Sequence, residues 1–147
     1  MAGKWKMAML VAAFGAALAQ APAQAAGDAG ARVQVKGELV DTWCSVTGIM
    51  FAAGTAHHQC AVWCAVGGIP VSIKDKDGNY YMVLRVANDD ASVADKPFVR
   101  IQTHEVTVDG ELIQRDGVKY LFVNTVLDDA GVVDLTHEEY GVAPFGE

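Results

Sequence analysis

The chain has 147 residues and a formal net charge of −7, with 52% of its residues hydrophobic. That length suits one domain, and the acidic balance repels phosphate backbones and anionic lipid, which argues against a nucleic-acid partner. Its three cysteines leave one thiol over after any single disulfide, or all three share another task.

The N-terminal segment has the order of a secretory signal. Lys4 and Lys6 form a positive lead, Met7 to Leu18 is an apolar run, and Ala23-Gln24-Ala25 is a small-x-small cleavage site. The apolar run covers about 12 residues, short of the roughly 20 that cross a bilayer. The expectation is therefore a signal peptide over 1–25, cleaved after Ala25, and a periplasmic or secreted domain in a compartment that usually oxidises thiols. No transmembrane segment is expected in the mature chain. Cleavage removes two of the 11 basic residues and none of the 18 acidic ones, for a net charge of −9.

Residues 26–35 read as a flexible lead and the start of the first strand. Val33, Val35, Leu39 and Val40 nearly alternate with Gln34, Lys36 and Glu38, and Gly37 is expected at a bulge or bend. This strand runs into Asp41-Thr42-Trp43-Cys44. Residues 45–54 show no period and are read as a loop that packs Ile49, Met50 and Phe51 inward. Thr55 is the expected N-cap of a short helix over His57 to Val66, closed by Gly67-Gly68 and Pro70. Val71 and Ile73 begin a strand, Asp77-Gly78 marks a hairpin turn, and Tyr80 to Val86 returns. Asn88 to Lys96 is a loop with room for one helical turn, stopped by Pro97, and Phe98 to Val108 reads as a long strand. Asp109-Gly110 and Asp116-Gly117 bracket an expected turn region, before a final strand over Val118 to Leu127. Residues 128–147 form an acidic tail, expected to be loosely ordered, with Val132, Val133 and Leu135 available to dock. Five strands and one short Cys/His-bearing helix fit a small, mainly β barrel of the oligonucleotide/oligosaccharide-binding (OB) type over residues 36–127.

The stretch that can carry chemistry is His57-His58-Gln59-Cys60-Ala61-Val62-Trp63-Cys64. At about 100° per residue, positions 57, 60 and 64 share one helix face. The preceding loop is long enough to bring Cys44 over that face, completing a Cys3His set. Soft thiolates with one imidazole suit zinc, copper(I) or an iron centre, and Met50 would add a thioether that favours copper(I). The competing reading is a structural disulfide from Cys44 to Cys60 or Cys64, closing a loop worth roughly 3 kcal/mol. A third is a redox-active thiol pair, which needs a thiolate of lowered pKa.

The neighbouring residues have plainer expectations. Asp41 either accepts backbone hydrogen bonds in a turn or orients His57 as a supporting carboxylate. Trp43 and Trp63 are read as core packing. His58 is expected to be solvated or to support the cluster, His104 to lie on the surface, and His137 to sit in the solvated tail. No G-x-S-x-G, P-loop or H-E-x-x-H run occurs, and no enzymatic activity is predicted.

The run Asp41-x-x-Cys44, His57-x-x-Cys60-Ala61-x-x-Cys64 and Gly68-x-Pro70-Val71 resembles a set of exported bacterial domains with this signature ahead of an OB-like barrel. The resemblance spans about residues 36–127. It implies the barrel fold and that the His57/cysteine cluster is a unit, and it assigns no activity. The resulting expectation is an exported barrel that binds a metal ion through Cys44, His57, Cys60 and Cys64. Its role would be metal handling or electron transfer beside a periplasmic or membrane protein. A disulfide-stapled interaction module and a thiol–disulfide protein are the alternatives.

Overall fold

The computed structural model describes residues 30–49, 52–87 and 96–136. The expected signal peptide, Met50 and Phe51, residues 88–95 of the expected loop and the end of the expected tail with His137 lie outside the described residues. Five strands close into a barrel: β1 (Ala31–Asp41), β2 (Val71–Lys74), β3 (Tyr80–Val86), β4 (Glu105–Arg115) and β5 (Val118–Asp129). Their order around the barrel is β1-β2-β3-β5-β4, and β4 pairs back onto β1. The β3–β5 pair is parallel and the other four are antiparallel. This is the OB topology that the strand count anticipates.

Alternation builds the interior. Val35 and Leu39 of β1 stand four residues apart, Val106 and Val108 of β4 and Leu121 and Val123 of β5 two apart, so each set shares one face, and all are buried in one cluster with Ile73, Val83 and Phe98. Near Gly37 the first strand exchanges partners. It pairs with β4 from Ala31 to Glu38 and with β2 from Glu38 to Asp41, consistent with the expected bend. By the same two-residue period, Asp41 lies on the side of Val35 and Leu39, at the strand's end.

Among the described residues three helices decorate the barrel where one was expected: α1 (Thr42–Thr47), α2 (Gly54–Val66) and α3 (Lys96–Arg100). The unforeseen α1 starts because Asp41 caps it, its Oδ1 accepting from the Cys44 N–H at 2.8 Å. Tyr80 pins it to β3 through the Ser45 hydroxyl and carbonyl, at 3.0 and 3.1 Å. Ile49, expected to pack inward, is exposed just beyond α1. Pro97 does not stop a helix but falls in the first turn of one, where its missing N–H would have no partner in any case. Residues 98–100 are therefore helical rather than strand, and Phe98 and Val99 reach the core from α3.

Asp109-Gly110 is not a turn either. It lies inside β4 at a register shift opposite β5, with Asp109 paired to Arg32 at 3.0 Å. Glycine is required there because an added Cβ would stand 2.4 Å from the Phe122 carbonyl oxygen. The real hairpin turn is Asp116-Gly117, where both residues have positive φ, 51° and 81°, as a type I′ turn demands. At the other expected turn, Asp75 gathers the backbone N–H groups of Asp77 and Asn79 and the Asn79 side chain, at 2.8–2.9 Å. Burial pushes the Asp75 carboxyl up, but these hydrogen bonds and one from Tyr81 outweigh it and hold the group below the ordinary carboxylate range.

Candidate metal centre

The β1–β2 connection carries every candidate ligand. Asp41 ends β1, Cys44 lies in α1, and His57, Cys60 and Cys64 lie on α2 at the spacing that puts them on one face. How α2 is held explains why this face is aimed. A helix leaves its first N–H groups without internal partners, and the N-cap residue, Ala53, has no side chain to offer. Three acceptors from elsewhere in the chain serve instead. Glu38 Oε1 accepts from Gly54 N–H at 2.7 Å, the Asp134 carbonyl from Thr55 N–H at 2.9 Å, and Thr136 Oγ1 from Ala56 N–H at 3.0 Å. Thr55 is thus the second residue of the helix, not its cap. Gly54 has a positive φ of 60°, and a Cβ there would meet the Asp134 carbonyl oxygen at 2.0 Å, so no other residue fits. The Glu38 carboxyl is pushed up by burial, against the opposing pull of the Gly54 amide.

The other end of α2 stops as the sequence indicates. Gly68 adopts φ of 90°, and Ile69 N–H donates to the Cys64 carbonyl at 2.9 Å.

His57 and Asp41 are both fully buried, with His57 Nε2 2.6 Å from Asp41 Oδ2. Both readings of Asp41 therefore hold, one on each oxygen: Oδ1 caps α1 and Oδ2 orients the imidazole. The carboxylate at Nε2 fixes the plane and orientation of the ring beside the thiols. The ligand atoms of Cys44, His57 and Cys60 lie within 4.8 Å of one another, and so do those of Asp41, Cys44 and Cys64. Cys60 and Cys64 Sγ are 4.0 Å apart. Zinc–sulfur bonds of about 2.3 Å at a tetrahedral angle would bring two sulfurs to about 3.8 Å. Cys44, His57, Cys60 and Cys64 therefore lie close enough to hold a metal ion. No two of these cysteines are bonded to each other.

The local electrostatics fit a cation. Burial, followed by the hydrogen bond to Asp41 and its charge, pushes the Cys44 thiol up to about 12. Cys64 is also raised, first by burial, then by the charge of Asp41 and by Cys60. Thiolates here are disfavoured by burial first and by the negative Asp41 second, and a positive ion would offset both penalties. Three sulfurs, one imidazole and a carboxylate behind the imidazole are donor types that a soft or borderline transition metal accepts.

The side chains around this set differ from expectation. Trp43 and Trp63 do not pack in the core: they are 53% and 66% exposed. Val46, Ile49 and Val66 on the same connection are exposed as well. His58 takes no part in the cluster and hydrogen-bonds to the Gln102 carbonyl at 2.7 Å. His104 is half-buried just before β4 and pairs with Asp129. The acceptors at Glu38, Asp134 and Thr136 carry no local sequence signal, since each lies 16 or more positions from the amide it serves.

No protein-family model matches this chain, and comparisons with curated proteins and with solved structures return no match.

Proposed function

We propose that this chain is an exported small-barrel protein that binds one transition-metal ion through Cys44, His57, Cys60 and Cys64, in metal handling or electron transfer. The observation that carries this reading is the convergence of three sulfurs and one carboxylate-oriented imidazole from two separate helices. The bound ion would be zinc, copper(I) or iron; copper and iron would supply a redox couple, and zinc a closed structural or storage site. The chain's own contribution is positional. Asp41 fixes the ring of His57 and the first turn of α1 together, so the imidazole and Cys44 are placed by one side chain. The export reading rests on the N-terminal segment, and the signature shared with exported bacterial domains supports treating the cluster as a unit.

The exposed apolar margin of Trp43, Val46, Ile49, Trp63 and Val66 supports a protein partner that approaches the site, as periplasmic or membrane proteins would in metal exchange. A thiol–disulfide role is less well supported. It requires a stabilised thiolate, whereas Cys44 and Cys64 are both pushed the other way.

The test is metal content of tag-free protein purified under mild reductant from the exported fraction, with intact mass to locate the cleavage site. One equivalent of metal is expected, together with three free thiols and loss of residues 1–25. Cobalt substitution should give a thiolate-to-metal charge-transfer band. His57→Ala and Cys44→Ser should each lower metal retention at least about ten-fold. Unchanged metal content in both variants would remove these ligands from the reading, and two hydrogens missing without metal would favour the disulfide-stapled module.

A further inference from the structure

A second pair of imidazoles stands apart from the thiol cluster. His58 projects from α2 and His104 from the turn before β4, with ring centroids 5.9 Å apart and planes 27° from parallel. Both are half-buried. Each Nδ1 faces an oxygen that can only accept, a carbonyl at His58 and a carboxylate at His104. His58 Nδ1 donates to the Gln102 carbonyl at 2.7 Å, with Thr103 Oγ1 at 3.0 Å, and His104 Nδ1 donates to Asp129 Oδ1 at 2.7 Å. A neutral imidazole whose Nδ1 carries the proton presents a lone pair on Nε2. Neither Nε2 has a hydrogen-bond partner among the described residues. Two fixed rings, stacked with centroids 5.9 Å apart, therefore each offer a basic nitrogen, backed by the carbonyl or carboxylate that metal-binding histidines use.

The turn that sets this arrangement is strained. Thr103, a buried β-branched residue, has φ of 63°, where such residues are outliers. The strain is held by Thr103 N–H to the Leu39 carbonyl at 2.7 Å and His104 N–H to the Ile101 carbonyl at 3.1 Å. Its effect is to aim the Gln102 carbonyl at His58 while presenting His104 to the same ring. Strain that a fold maintains at one turn is a pointer to use. An ion about 2.0–2.1 Å from each Nε2 at a tetrahedral angle would hold the two centroids about 5 Å apart, within a small side-chain adjustment of the separation observed.

We infer that His58 and His104 form a second, imidazole-only site for a divalent ion of the zinc, nickel or copper(II) kind, with water completing the coordination. The Gln102 carbonyl and Asp129 are its positioning groups. The site shares no ligand with the thiol cluster and does not depend on it.

The experiment is a zinc titration of reduced, tag-free protein, read by long-range 1H–15N NMR of the histidine rings. Before zinc, His58 and His104 should both show the Nδ1–H tautomer. Beyond the equivalent taken by the thiols, both Nε2 signals should move together while both Nδ1 protons stay. His104→Gln should leave the His58 signal unmoved and abolish the second equivalent. Asp129→Asn should weaken that equivalent by about 10–100-fold. Nε2 signals that stay fixed in the unsubstituted protein overturn the inference without any variant, and so does a His58 signal that still moves in His104→Gln. The cobalt–thiolate band reports the other site independently, so the two readings fail separately.

Discussion

Two histidines in this protein meet aspartates at nearly the same distance, 2.6 Å for His57–Asp41 and 2.7 Å for His104–Asp129. The first pair has no solvent exposure on either side chain, while the second is 23% and 36% exposed. Asp41 also holds the Cys44 amide, so it joins β1, α1 and α2 at one point. Asp129 also holds an amide, that of Gly131, but one in its own segment near the surface. Equal geometry therefore carries unequal weight. Water would replace much of what Asp129 provides, and nothing in the interior would replace Asp41.

The sharpest way to break this comparison is to remove each acid in turn. Asp41→Ala should cost about 3–5 kcal/mol, because it takes a carboxylate away from a buried imidazole and a buried amide at once. Asp129→Ala should cost about 0–1 kcal/mol. Urea unfolding of the two variants side by side checks the contrast, and similar losses would erase the distinction. Next in size is the ion itself. Free zinc at 100 times its dissociation constant should stabilise the native protein by about 2.7 kcal/mol. Thermal unfolding should show that gain in Asp129→Ala and lose it in Cys44→Ser. Thr136→Val should cost about 1 kcal/mol by removing an acceptor at the start of α2, and near-ultraviolet circular dichroism would report whether the Trp63 environment loosens with it.

The smallest effects belong to pH. Asp75 titrates below the ordinary carboxylate range in the folded protein, so its contribution is present at neutral pH and is lost as pH falls below about 4. Glu38 is shifted the other way by burial, so ionising it works against the fold, and its penalty fades as pH falls through its raised value. Asp75→Asn should therefore flatten the acid limb of a stability profile, and Glu38→Gln should relieve the loss that sets in above the glutamate range. Urea midpoints measured across pH 3 to 7 separate the two signs.

The barrel was legible because its strands obey period two: Val35 with Leu39, Val106 with Val108 and Leu121 with Val123 can be read from the sequence alone. The His57/Cys60/Cys64 part of the cluster was legible for a similar reason, since 57, 60 and 64 repeat at helical spacing. Dipeptides were less reliable than periods. Asp109-Gly110 and Asp116-Gly117 look alike in sequence; the close approach of Phe122 to Gly110 marks the bulge, and positive φ at Asp116 and Gly117 marks the turn. Pro97 is ambiguous in the same way, since proline suits the first turn of a helix as well as the end of one. Trp43 and Trp63 could not be placed because exposure depends on what lies across from a helix face. The partnership of His58 with His104 spans 46 positions and leaves no trace in local pattern.

The tail's hold on α2 reaches further than its few hydrogen bonds suggest. A chain clipped just behind Asp129 would keep all five strands and every proposed ligand, yet the helix bearing three of them would lose the seats provided by Asp134 and Thr136. Proteolytic trimming at the C-terminal end would thus act on the thiol cluster at a distance, unlatching it while leaving the barrel shut.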